Sequence, residues 1–352
     1  MRSILLKIPE ICNSDRALVL ATVIATRGST PQKPGSTALF DAHGLIAGTI
    51  GGGVVEGRTS EMAVECSKSG KSILYTFNLE NDISDKYEAI CGGEITILID
   101  GTVCNNIDVF TEIRKSYTDR IPGIIVSLVN KENNDIVIVE RHWITSEKSG
   151  FLPRKISERI LPEVTGILSS ASPGFRQTEI SMPGEKPVIV LLEPVFPPKE
   201  LVIGGAGHIG KALSHLGRML DFAVTVIDDR VEYANKKNLP DADNIIVDDI
   251  GRAIRKIKKG KDTYIVIVTR GHKDDAEALR PCIGSGAAYV GMIGSRIKVA
   301  QMKEEFIRNK WADEEQWKKI YAPIGLEIKS GSVEEIAVSI AAQIILVRNS
   351  TK

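Results

Sequence analysis

The chain carries no surplus of charge of either sign: 45 lysines and arginines stand against 45 aspartates and glutamates. That balance gives no footing for a nucleic-acid or acidic-membrane partner, each of which selects a basic surface. Cysteine is scarce. Cys12, Cys66, Cys91, Cys104 and Cys282 are odd in number, widely spaced and form no Cys-x-x-Cys pair. A disulfide framework and a zinc site are therefore not expected, no metal ligands are assigned, and most thiols are expected to be reduced. Long apolar runs are missing too. A spanning helix needs roughly 20 apolar residues, whereas the apolar segment 336–347 is interrupted by Ser339 and Gln343. Residues 1–10 hold too short an apolar run for a secretory leader. These absences point to a cytoplasmic protein.

What remains is a globular composition, 43% hydrophobic and 26% charged over 352 residues. That length is too great for one typical core and suits two or three domains. Residues 17–25 read as a buried strand, 27–36 as a Pro- and Gly-bearing loop, and 37–40 with 45–50 as a hairpin. Helical spacing follows over 54–68, then strands at 72–78 and 94–100. The middle third continues this sheet, with strands at 124–129, 135–140 and 188–192 and an amphipathic helix at 155–168. Residues 1–193 thus read as an α+β domain. Residues 194–199 are a proline-rich linker, because prolines interrupt regular ladders and stiffen connectors. From 200 to 352 the grammar changes. Strands at 200–203, 223–228, 244–247, 263–269 and 288–293 alternate with helices, the pattern of a doubly wound parallel α/β sheet.

Two glycine motifs stand out. Gly48-Thr-Ile-Gly-Gly-Gly-Val-Val-Glu56 lies between a strand and a helix, where free amides donate to anions and glycines let a ligand approach the backbone. Gly205-Ala-Gly207-His208-Ile-Gly210 has a strand before it, a helix after it, and an acid, Asp228, closing the next strand about 20 residues on, the context a Rossmann dinucleotide site requires. In that reading Gly205 makes the turn, Gly207 admits a pyrophosphate, and Gly210 lets helix and strand pack. Asp228 suits an unphosphorylated ribose, whereas nearby Arg230 suits a 2′-phosphate, so NAD and NADP both stand. His208 either touches a phosphate or is exposed. His272, in Thr269-Arg-Gly-His272, and Ser295 with Arg296, in Gly291-Met-Ile-Gly-Ser-Arg296, end the fourth and fifth strands, and should face the crevice. The alternative for Ser295 is a helix cap. Ser332-Val-Glu-Glu335 is a capping box opening the last helix.

The ordered set of motifs resembles the XdhC/CoxI family, accessory proteins for molybdenum hydroxylases such as xanthine dehydrogenase. The N-terminal resemblance rests on Arg27-Gly-Ser29-Thr-Pro, Pro34-Gly35, Gly48 to Gly53 with Glu56, and Cys91-Gly-Gly93. The C-terminal one rests on the Gly205 motif, Val226-Ile-Asp-Asp-Arg230, Thr269 to His272, Gly291 to Arg296, and Ala322-Pro-Ile-Gly325 with Glu334-Glu-Ile-Ala-Val338. The resemblance implies a chaperone rather than a catalyst. It would bind the molybdenum cofactor (molybdopterin, alone or as a dinucleotide), support its sulfuration and insert it into the apoenzyme. The implied partners are a molybdenum hydroxylase apoenzyme and a cysteine desulfurase-type sulfur donor; a homodimer is expected only because symmetric dimers are the commonest assemblies. Gly51, Gly52 and Gly53 would supply amides, Arg27, Ser29 or Lys33 would meet a phosphate, Glu56 a pterin amine, and Cys91 sulfur or molybdenum. The competing reading is an NAD(P)-dependent oxidoreductase built on the C-terminal domain, with His272 as the one loop histidine placed for its crevice.

Overall fold

The apolar run after residue 16 forms the strand β1 (Val19–Gly28), whose side chains feed separate cores. Val19, Ala21 and Val23 join one, and Leu20 and Ile24 join two others. A strand covered on both faces is apolar along its length, which is why it stands out in the sequence. The computed structural model describes residues 4–350 apart from 15–16, 80–91, 134, 147–151, 171–172 and 185. Residues 2–197 form one compact unit and residues 198–352 another.

In the first unit α1 (Ile8–Cys12) precedes β1. The hairpin β2 (Thr37–Asp41) and β3 (Gly44–Gly48) follows, then α2 (Gly53–Ser69), β4 (Ser72–Asn78) and β5 (Gly93–Asp100). Next come α3 (Ile107–Thr118), β6 (Gly123–Asn133), β7 (Ile136–Thr145), α4 (Arg154–Leu168), β8 (Arg176–Ile180) and β9 (Val188–Val195). Among the described residues, these nine strands join one antiparallel sheet in the order β3-β2-β1-β5-β4-β7-β6-β9-β8. The middle third therefore does extend the first sheet. Val55, Ala63 and Cys66 of α2 pack on one face, Phe110 and Ile113 of α3 on the other, and α4 lays Ile156, Ile160, Val164 and Ile167 over β6 and β9.

Three expectations change here. Cys12 and Cys104 form a disulfide across 92 residues, with Cα atoms 5.6 Å apart. The fold brings the end of α1 beside the short turn Val103–Asn106, a proximity invisible in linear spacing. Arg27 and Gly28 belong to β1, because β5 pairs with the strand through Gly28. Pro194 is paired within β9, opposite Ile124 of β6. Beyond Leu192 the strand β8 no longer pairs with β9, so a proline is tolerated on that open side.

The second unit contains β10 (Glu200–Gly204), α5 (His208–Met219), β11 (Ala223–Asp228), β12 (Asn244–Val247), α6 (Ile250–Lys256), β13 (Thr263–Ile267), α7 (His272–Leu279), β14 (Tyr289–Met292), α8 (Arg296–Arg308), α9 (Glu314–Trp317) and α10 (Val333–Ser350). The five strands are parallel, in the order β12-β11-β10-β13-β14. This is a Rossmann sheet, and the chain reverses its direction of winding between β10 and β13. Separate cores cover its two faces, one under α6, α7 and α8 and the other under α5 and α10. At the start of α10 the expected box is present: the Glu335 amide donates to Ser332 Oγ at 3.2 Å, and Glu335 Oε2 accepts from the Ser332 amide at 3.1 Å.

Candidate functional site

Three N-terminal motifs meet at one end of the antiparallel sheet. Arg27 and Gly28 pair with Glu94 and Gly93, and the Ser29 amide donates to the Gly92 carbonyl at 3.3 Å. The loop after Ser29 then runs against the glycine turn. A Cβ on Gly51 would lie 2.7 Å from Cγ of Pro31. Arg27 and Ser29 are exposed beside this junction. Cys91 lies outside the described residues.

The turn itself is held open. Ile50 is fully buried and anchors it, whereas Gly51, Gly52 and Gly53 have φ of 135°, 67° and 55°. Side chains are strained at such angles. Gly52 is the N-cap of α2, no side chain caps the helix, and a Cβ on Gly52 or Gly53 would meet nothing within 4 Å. The amides at the start of this helix of 17 residues therefore remain accessible to an anion. Glu56 turns back on the same loop. Its Oε2 accepts from Thr49 Oγ1 at 2.8 Å and from the Ile50 amide at 3.2 Å, so one carboxylate oxygen is engaged in closing the turn. Cys66 is core: burial first, then the negative charges of Asp100 and Glu65, push its thiol up to about 11. It is thus a poor thiolate.

In the Rossmann unit the fingerprint glycines take the places their spacing predicts. Gly205 has φ of 119°, and its amide donates to the Ile227 carbonyl at 2.8 Å. A Cβ on Gly210 would fall 1.9 Å from the Gly205 carbonyl oxygen, so the helix packs on the turn only because that atom is missing. Gly207 faces open space and caps α5 without a side-chain bond. A cleft of about 220 Å³ opens here, bounded by Gly207, Asp229, Asp249, Arg270, Lys273 and Glu277. It sits at the carboxyl ends of four strands, the usual ligand position of such sheets.

Asp228 also lines the cleft, but its carboxylate is already occupied. Oδ2 accepts from the Ala206 amide at 2.7 Å and Arg230 Nη2 at 2.9 Å, and Oδ1 from Arg230 Nε at 2.8 Å and the Arg230 amide at 3.1 Å. Burial pushes the carboxyl up, yet these bonds outweigh it and hold it below the usual range. Arg230 in turn lies over the Tyr233 ring at 3.9 Å. Asp228 thus locks the glycine turn to the end of β11, and Arg230 is spent on that lock. Asp229, one residue on, reaches Arg270 at 3.1 Å between the ends of β11 and β13.

The other candidates lie elsewhere. His208 is exposed and does not line the cleft. His272 is not placed for the crevice as expected: its Nε2 is 2.9 Å from Glu305 Oε2 of α8, and it borders a separate surface depression with Lys298 and Arg308. Helix α7 begins at His272, and the helical start turns the side chain toward α8. Ser295 caps α8 by accepting from the Lys298 amide at 3.2 Å, and Arg296 is exposed at the next position. Neither borders the cleft.

Sequence reasoning missed a buried charged group in the first unit. Asp100 Oδ1 accepts from Ser72 Oγ at 2.6 Å, from Thr102 Oγ1 at 2.7 Å and from the Thr102 amide at 2.8 Å, and Oδ2 pairs with Arg141. Burial raises the Asp100 carboxyl, but the Arg141 charge and the hydroxyl donors more than offset this and keep it low. Glu193 shares Arg141 as its charged neighbour. Burial drives its carboxyl up to about 7, against the pull of Arg141. The available signal was an acid at or near the end of each of two apolar runs, Asp100 after residues 95–99 and Glu193 after 188–192.

Residues 11–78 match the XdhC and CoxI family, and residues 201–344 match the XdhC Rossmann domain. Over 334 residues the chain is 24% identical to a probable xanthine dehydrogenase subunit of Bacillus subtilis, covering 94% of this chain and 93% of that protein. It is 23% identical over 332 residues to the uncharacterized protein YqeB of Escherichia coli K12. That match takes in 94% of this chain but spans only 43% of the relative's length. A crystal structure of a xanthine dehydrogenase from Bacillus halodurans superposes with a TM-score of 0.78 at 23% identity, covering 100% of this chain and 97% of the other. That likeness extends to the fold.

Proposed function

Because the chain belongs to the XdhC and CoxI family, we propose that it is an accessory factor in the maturation of a molybdenum hydroxylase such as xanthine dehydrogenase. In this reading it is a cytoplasmic carrier that binds the molybdenum cofactor, supports its sulfuration and hands it to the apoenzyme. A cysteine desulfurase-type enzyme would donate the sulfur. The observation that carries the reading is the convergence of the Arg27–Ser29, Gly51–Gly53 and Gly92–Gly93 segments around open backbone. The uncapped start of α2 offers amides to a phosphate, and Arg27 and Ser29 can close on the same anion. Glu56 keeps the turn in shape. Cys91 is assigned the sulfur or molybdenum contact from its place in the Cys-Gly-Gly motif. When bound, the cofactor supplies the molybdenum–pterin centre that the client enzyme uses; the chain supplies positioning.

The Rossmann cleft suits a nucleotide, either in the dinucleotide form of the cofactor or as NAD(P), because Gly207 and the start of α5 are open. An oxidoreductase needs an acid–base group at the nicotinamide. Among the described residues no histidine lines this cleft, which favours the accessory role.

The test is retention. Purified protein is mixed with molybdenum cofactor, passed over a desalting column and assayed for molybdenum. Wild type is expected to retain it, and Arg27→Ala with Ser29→Ala, both at exposed positions, to lose most of it while staying folded. Retention no greater than that of albumin sinks the proposal. Stabilisation by NAD(H) with no cofactor retention would instead favour the oxidoreductase reading.

A further inference from the structure

A second cavity in the first unit carries an inference of its own. It is an open depression of about 310 Å³ bounded by Pro34, Gly35, Ser36, Pro173, Phe175, Glu193 and Pro194. Three prolines and Phe175 contribute rings to its lining, beside the polar side chains of Ser36 and Glu193. Gly35, with φ of 90°, brings the loop against Phe175, since a Cβ there would lie 2.8 Å from the phenylalanine Cβ. Glu193 is the one titratable residue on this lining.

The charges behind Glu193 do not balance. Asp100 and Glu193 are two carboxyls, and Arg141 is the single guanidinium that acts on both. Arg141 is committed to Asp100, and its guanidinium lies 5.7 Å from the centre of the Phe110 ring. Asp100 is further satisfied by Ser72 and Thr102. Among the described residues no hydrogen bond reaches the Glu193 carboxyl. From the cavity side, Pro34, Gly35, Ser36, Pro173, Phe175 and Pro194 bring no charge. A partly buried carboxylate without protein donors is unfavourable, and the cavity that Glu193 lines gives donors access to it.

We propose that this cavity is a binding site for a flat heterocycle that presents two adjacent N–H donors, the 2-aminopyrimidin-4-one edge of a pterin or a guanine, with Glu193 as its acceptor. A carboxylate matches such an edge through two parallel charge-assisted bonds. Phe175 and the prolines provide apolar surface for the ring faces. Ring and donor edge are thereby read together, and a purely apolar or anionic ligand is rejected. The inference rests on the proposed cofactor role for its choice of pterin as first probe.

The test uses the full chain and metal-free ligands. 6-Hydroxymethylpterin, its 2-oxo counterpart 6-hydroxymethyllumazine, and guanosine are titrated by fluorescence or calorimetry at pH 7.5 and 5.5. Wild type is expected to bind the pterin at least ~10-fold more tightly than the lumazine, because the oxo group faces the carboxylate without a donor. Glu193→Gln is expected to lose at least ~10-fold, since its amide offers one acceptor and opposes the second donor. Lowering the pH to 5.5 should weaken wild-type binding by ~10-fold or more and leave the variant's affinity level, because protonation removes the acceptor. Phe175→Ala is expected to weaken binding and to keep the pH dependence. Tighter binding of guanosine than of pterin supports the site and assigns guanine as its occupant. Equal affinity of wild type and Glu193→Gln, equal affinity for pterin and lumazine, or no saturable binding of pterin and guanosine overturns the inference. If both proteins retain molybdenum cofactor equally, this inference fails and the accessory role stands. If neither retains it, the accessory role fails and the metal-free titration still judges Glu193.

Discussion

Asp228 and Glu193 both lie at or near the end of a strand, and burial disfavours the charged form of each. They diverge because of donors. Asp228 receives four hydrogen bonds and stays ionised, whereas Glu193 has only the charge of a shared arginine and is raised from 4.5 to about 7. The sign of the consequence follows. Between about 4.5 and about 7 the folded state holds a proton that the unfolded state has released, so Glu193 lowers stability as pH rises through that window. The upper bound of that loss is roughly 3 kcal/mol. Glu193→Gln is therefore expected to melt at a higher temperature than wild type at pH 8 and close to wild type at pH 5. An equal difference at both pH values would show that Glu193 is ionised throughout. Asp228 acts in the opposite direction: the stability it contributes is present at neutral pH and lost as pH falls through its depressed folded value. Neither behaviour can be read from the residue type.

At the scale of elements, periodicity served well wherever one face of a helix or strand is buried. The β4 segment 72–78, α2 near 54–68 and α4 near 155–168 stand where the pattern put them. The glycine roles at Gly205 and Gly210 were equally legible, because spacing alone states which atom must be absent. Gly210→Ala is expected to destabilise the chain by about 3 kcal/mol, since its Cβ would meet the Gly205 carbonyl oxygen at 1.9 Å. Gly207→Ala, whose Cβ meets nothing within 4 Å, should leave stability within about 0.5 kcal/mol of wild type. Chemical denaturation of the two variants separates these outcomes, and similar losses in both would contradict the packing role of Gly210. The direction of His272 was not legible. Its loop was read correctly as the end of a strand, but α7 begins at that residue and directs it to Glu305.

At the scale of the molecule, each unit has cores of its own. Residues 198–352 bury two clusters around the parallel sheet, and residues 2–197 bury four around the antiparallel one. A fragment of residues 198–352 is accordingly expected to fold alone, with a cooperative thermal transition and helical far-ultraviolet circular dichroism. A broad, non-cooperative melt would show that its clusters depend on the rest of the chain. The sequence by itself determined the two-unit plan, the parallel sheet with its glycine turn, and the family, because these depend on local periodicity and on motifs whose residues are neighbours along the chain. Only the tertiary structure decided that Cys12 meets Cys104, that Arg230 is bound to Asp228, and that Asp100, Arg141 and Glu193 share one interior. Those pairings join residues from separate strands and helices, and a carboxyl's charge is set by the donors that the fold places around it.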